Sequence, residues 1–172
     1  SILTGQTVGR LRITTPEGHL QQVNLNPQEN ATGAPGYPMT NPQTGNRLPL
    51  DSITISKLLK EGGYATAFMG KWHLGYAPYI PESYGFDYVV GGRAFPGPPP
   101  PGFFGPWDPE TTNMPVVEGN PNADDVIGDA AVDFIESKKD EPFFLALWFF
   151  NVHAPFQGKP ELVEKYAPLV AD

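Results

Sequence analysis

The sequence predicts an α/β protein: a mainly parallel sheet flanked by helices, with long Gly/Pro-rich loops between the regular elements. Three observations carry this. An amphipathic helical stretch is followed by a short apolar strand twice along the chain, at 51–75 and 122–153. Each strand runs out into a loop bearing histidine. The remainder concentrates 12 of the 19 glycines and 17 of the 21 prolines into two stretches, 6–50 and 76–121. Alternating helix and strand favours parallel pairing, because the helix is the crossover that brings the next strand back alongside.

Residues 6–50 are dominated by turn formers, as in PQENATGAPGYPMTNPQTGNRLP. A long helix finds no place there, and the segment reads as an extended surface excursion. Asn30-Ala31-Thr32 fits a glycosylation acceptor. In 51–75, Thr54 can cap a short helix whose Ile55, Leu58 and Leu59 form one apolar stripe. Gly62-Gly63 supplies its stop, and Tyr64 to Met69 reads as a strand.

Residues 76–121 read as loop, including FPGPPPPGFFGPWDP, where Pro98 to Pro101 favour polyproline II geometry. The aromatics Phe95, Phe103, Phe104 and Trp107 either line a sugar-binding face or pin this loop to the body, and the second reading is preferred. In 122–153, Val126, Ala130 and Phe134 form one ridge and Ile127, Ala131 and Ile135 its neighbour. Asp124, Asp125, Asp129, Asp133 and Glu136 fall on the opposite, solvated face, and Lys138 and Lys139 suit the helix C-terminus. Phe143 to Phe150 (FFLALWFF) reads as a strand buried on both faces. Pro160 then opens a last short helix, ELVEKYA.

Composition narrows the function classes. With 11 Lys+Arg against 19 Asp+Glu the net charge is −8, and no basic stripe marks a nucleic-acid interface. No apolar run is long enough to span a membrane. The absence of cysteine excludes disulfides, thiolate metal sites and a cysteine nucleophile within these residues.

Ligands of open parallel sheets bind beyond the carboxyl ends of the strands, where both histidine loops fall. Lys71 and His73 stand two apart just past the first strand, and on extended backbone such residues share a face. An ammonium and an imidazole together suit an oxygen-rich anion. His153, past the second strand, could protonate a departing oxygen as a general acid. On spacing alone the plainer reading, a solvated lysine and ordinary loop histidines, is favoured. The Asp124-Asp125 pair could suggest a metal site, but its helical position points to solvation. Asp87, Asp108 and His19 carry no pattern.

The string GYATAFMGKWHLG, Gly63 to Gly75, resembles the second signature of type I sulfatases, arylsulfatase-like enzymes of the alkaline phosphatase superfamily. SILTG at the start is similar to the tail of their first signature, YGFDYVVGG (Tyr84 to Gly92) to their G-F-D-x-x-x-G stretch, and DEPFFLALWFFNVHAPF (Asp140 to Phe156) to a later histidine segment. Val152 stands where many members have proline before that histidine.

The resemblance implies a partial alkaline-phosphatase-like fold, with residues 1–172 an incomplete sulfatase catalytic domain. It implies a sulfuric ester hydrolase whose nucleophile is a formylglycine made from Cys or Ser, acting beside calcium. By motif, Lys71 and His73 would hold the sulfate oxygens, and His153 would bind near the leaving oxygen and protonate it. It further implies that the nucleophile lies upstream of Ser1, that the calcium ligands lie outside this chain, and that the fragment is inactive alone. The partner is then a small-molecule or glycan sulfate ester, and the compartment exported (periplasmic, extracellular or lysosomal). The alternatives are a related phosphomonoesterase or phosphonate hydrolase, a non-catalytic module binding anions or sulfated glycans, or an interaction segment centred on the proline run.

Overall fold

The computed structural model describes residues 2–13, 45 and 47–169. The sequence readings of Asn30 and His19, and most of the excursion over 6–50, lie outside these residues. At the near end of that excursion, α1 (Val8–Leu11) makes a single turn capped by Thr7, whose Oγ1 accepts the Arg10 N–H.

The first helix–strand unit is α2 (Ile55–Glu61) and β1 (Ala65–Gly70). Thr54 is the N-cap of α2, as its hydroxyl chemistry predicts. The buried face of α2, however, is not the apolar stripe. Ile55 and Leu58 are exposed, while Thr54 and Ser56 are fully buried. Both hydroxyls bond the Tyr84 carbonyl, at 2.9 and 2.5 Å. A seven-residue helix held through two hydroxyls turns its polar side inward, and periodicity does not register such an anchor.

After β1 the chain makes a 3-10 turn (Pro81–Tyr84) and then a strand, β2 (Tyr88–Gly91), followed by α3 (Pro109–Thr112). The stretch 76–121 is therefore not all loop. Four residues, YVVG, are too few for a pattern to separate from their turn-rich surroundings. The second unit is α4 (Ala123–Lys138) and β3 (Phe143–Trp148), with α5 (Pro160–Tyr166) beyond it.

The three strands form one parallel sheet in the order β2-β1-β3. Ala65 pairs with Phe143 through to Gly70 with Trp148 on one side, and Ala67 with Tyr88 through to Gly70 with Gly91 on the other. Because β1 is central, alternate residues enter two separate cores. Ala67 and Met69 pack with Val126, Ile127, Ala131 and Phe134 of α4. Phe68 goes the other way, among Leu3, Leu48, Trp72, Tyr84 and Phe86. Each such large side chain contributes roughly 1.5–3 kcal/mol on burial.

Two expectations change here. Ile135 lies outside the packed ridge of α4, at 42% exposed. β3 is half-buried and ends at Trp148, with Phe149 exposed, because it is the sheet's edge strand among the described residues.

Candidate functional site

The candidate site is the carboxyl edge of the sheet, and its geometry starts at Gly70. This residue has φ +109°, and a β-carbon on it would lie 1.8 Å from the Trp148 carbonyl oxygen. Glycine alone permits both the conformation and the approach. The same carbonyl accepts the Lys71 N–H at 2.8 Å, and the Gly70 carbonyl accepts the Gly92 N–H at 2.8 Å. The end of β1 is thus tied to both neighbours before the chain leaves the sheet.

Trp72 then turns into the core. It is 2% exposed, meets Phe68 edge-on at 5.1 Å, and donates its indole N–H to the Tyr79 carbonyl at 2.7 Å. Lys71 and His73 flank this anchor. The backbone here is not an extended strand, since His73 has φ +52°. Strand alternation therefore stops describing the segment after Gly70. His73 is largely buried, at 8% exposed, whereas Lys71 is only partly covered. Burial pushes the Lys71 ammonium below its ordinary pKa. Among the described residues, no carboxylate or hydrogen-bond acceptor answers its charge.

His153 reaches the same edge from β3. Its backbone N–H bonds the Phe150 carbonyl at 3.1 Å, closing a turn after the strand. Its Nδ1 lies 2.6 Å from the Ala154 carbonyl oxygen. A carbonyl only accepts, so Nδ1 carries the proton and Nε2 is the nitrogen left for exchange. Lys71, His73 and His153 thus all lie just beyond the carboxyl ends of the adjacent strands β1 and β3.

The carboxylates are placed differently. Asp87 pairs with Lys60, and Asp108 caps α3. Asp125 pairs with Lys159. Asp124, expected on a solvated face, is half-buried instead: its Oδ1 accepts the Phe150 N–H at 2.9 Å, and its Oδ2 is buried without a partner. Burial raises its pKa, opposed by the nearby Phe150 and Asn151 N–H groups. It fastens the start of α4 to Phe150, two residues past the end of β3 and three before His153. The only signal in the sequence is an acidic pair at a helix start, which ordinarily means no more than dipole compensation.

The proline run bends as well. Gly102 N–H bonds the Pro99 carbonyl at 2.8 Å, a turn in place of polyproline II. Pro98, Pro99, Phe103 and Trp107 are buried, so these aromatics secure the loop, as preferred above. Gly97 lies against the His153 ring.

Among the described residues no group of three or more His, Asp or Glu gathers to hold a metal ion. The calcium implied by resemblance thus finds no ligand set here, and no step is assigned to it. No helix among these residues is long and apolar enough to cross a membrane.

Comparison with known proteins bears on this edge. The family described as Sulfatase matches residues 25–170. Arylsulfatase G of Rattus norvegicus is 31% identical over 147 residues, covering 67% of this chain and 28% of the relative. N-acetylgalactosamine-6-sulfatase of Sus scrofa is 30% identical over 177 residues, covering 90% of this chain and 30% of the relative. The chain thus spans less than a third of either relative's length. The crystal structure of Ps i-CgsB in complex with k-i-k-neocarrahexaose superposes with a TM-score of 0.66 at 22% identity, over 99% of this chain and 37% of that one. The fold is accordingly the expected one, a portion of the alkaline-phosphatase-like architecture.

Proposed function

Because the chain belongs to the sulfatase family, we propose that the full-length protein hydrolyses sulfate monoesters and that Lys71, His73 and His153 are its substrate contacts within these residues. The observation that carries this reading is the desolvated Lys71 ammonium, unanswered by any described carboxylate, on the edge to which both histidines are delivered. A partly buried cation without a described counter-ion attracts an anion.

Lys71 neutralises the non-bridging sulfate oxygens, and His73, from its buried position, adds a directional contact to them. As the sulfur–oxygen ester bond breaks, charge collects on the bridging oxygen. His153 in its protonated form delivers the Nε2 proton there, and the product leaves as an alcohol. Nδ1 stays bonded to the Ala154 carbonyl throughout, so the exchangeable proton is confined to Nε2. No described residue is assigned as nucleophile. Calcium would supply polarisation of the sulfate, but no ligand set for it gathers among the described residues.

The names of the rat and pig relatives support an aryl or sugar sulfate as substrate, and membership of the sulfatase family favours an exported or lysosomal compartment. Assay of the full-length protein on matched aryl sulfate and aryl phosphate tests the reaction. Sulfate turnover is expected, falling about 100-fold in Lys71→Ala as for loss of one charge-stabilising donor. Turnover of phosphate but not sulfate overturns the reading.

A further inference from the structure

We propose that the loop 93–107 is the positioning device for His153, acting through Gly97 in the loop and through Gln157 in the histidine's own segment, the two positioning residues. This rests on the role given to His153 above.

Gly97 is buried, and a β-carbon on it would lie 2.8 Å from His153 Nδ1 and 2.9 Å from the Ala154 carbonyl oxygen. Those two atoms are the donor and acceptor of the bond that fixes the His153 tautomer. Gly97 is not among the glycines with positive φ, so its backbone would accept any residue. What excludes a side chain there is the histidine. The Gly97 backbone packs against that bond on one side, leaving no room there for a side chain.

A second contact lies just beyond. Gln157 Oε1 accepts the Phe103 N–H at 2.8 Å, across 54 positions of sequence. It passes over Gly102, where a β-carbon would stand 2.4 Å from that oxygen. The segment 153–157 is therefore gripped at both ends by one loop.

The loop itself is anchored. Trp107 is 5% exposed and donates its indole N–H to the Gly102 carbonyl at 2.9 Å. Phe103 and Gly105 bond the start of α4, through Ala123 N–H to the Phe103 carbonyl at 2.7 Å and Gly105 N–H to the Pro121 carbonyl at 3.0 Å. A general acid works only with its proton on the correct nitrogen and aimed at the leaving oxygen, and small misplacements are expensive. The two contacts supply that constraint from residues that touch neither substrate nor reacting atoms.

The test compares Gly97→Ala, Gln157→Ala, Gln157→Glu and His153→Ala in the full-length protein, on sulfate esters of a good and a poor leaving alcohol. Thermal melts confirm that each variant folds. Gly97→Ala and Gln157→Ala are expected to lower kcat about 10–100-fold on the poor leaving group, with little change on the good one and KM held. Gln157→Glu, which keeps the accepting oxygen, restores the rate. Equal losses on both esters, or none, while His153→Ala discriminates between them, overturn the proposal.

Imidazole ¹⁵N shifts provide a readout independent of turnover. His153 is expected as the Nδ1–H tautomer in the wild type and as a mixture in Gly97→Ala. An unchanged tautomer in that variant also overturns the proposal. Absence of sulfatase activity in the wild type with the tautomer shift intact overturns the catalytic reading and leaves the positioning contact standing.

Discussion

The carbonyl oxygen of Trp148 occupies the space that a β-carbon on Gly70 would need, the two being 1.8 Å apart. The register of β1 against β3 is thereby locked at the end that carries Lys71. Gly70→Ala must displace β3 or break the Lys71 N–H bond to Trp148, while also holding alanine at φ +109°. A loss of more than about 3 kcal/mol is expected from strain and a broken ladder combined. Urea unfolding followed by circular dichroism measures it, and a change below about 0.5 kcal/mol would refute the packing described.

Lys71→Met should stabilise the protein while removing function. A lysine whose folded pKa lies below its unfolded value of 10.5 destabilises the fold wherever it is charged in both states. That penalty is complete below the folded pKa and is relieved as pH climbs toward the unfolded one. The gain in Lys71→Met should sit at the low end of roughly 0.5–2 kcal/mol, since water screens a partly exposed charge. It should be present at pH 7 and shrink toward pH 10.5. Melting curves across that range report the trend, and a destabilised variant at pH 7 would contradict it.

Asp124 separates charge from hydrogen bonding. Asp124→Ala leaves the Phe150 N–H without its acceptor and should cost about 1–3 kcal/mol. Asp124→Asn keeps an acceptor and sheds the buried charge. Its folded carboxyl pKa is raised above 3.8, so the wild type bears a penalty at neutral pH that fades as acid protonates the group. The asparagine variant should therefore match or exceed wild-type stability at pH 7, with the difference narrowing toward pH 4. Chemical denaturation at the two pH values decides the matter.

Trp72→Phe tests the anchor between Lys71 and His73. The Tyr79 carbonyl loses its indole donor, at about 1–3 kcal/mol. If the anchor sets the two flanking side chains, KM for a sulfate ester rises in the same variant. Unaltered KM with reduced stability would confine Trp72 to packing.

Legibility in the sequence follows physical scale. Helix–strand alternation and the histidine loops were readable because they rest on burial over many residues, as in α4 with Val126, Ile127 and Phe134. The edge bearing Lys71, His73 and His153 followed from parallel pairing alone. What escaped the reading depends on single long-range partners. Ser56 turns α2 over by bonding a carbonyl 28 positions away. Asp124 is drawn inward by the Phe150 N–H. The left-handed turn at His73 and the bend in the proline run likewise leave no periodic trace.

Asn113 closes one flank of the sheet by itself. Its side-chain amide donates to the Val89 and Gly91 carbonyls of β2, at 3.0 and 3.2 Å, and its own carbonyl accepts the Gly91 N–H at 2.9 Å. One residue thus imitates a neighbouring strand, using groups that pairing would otherwise require. Recruitment of another strand to this sheet is consequently directional among the described residues: Asn113 occupies the β2 flank at Val89 and Gly91, while the outer edge of β3 is open.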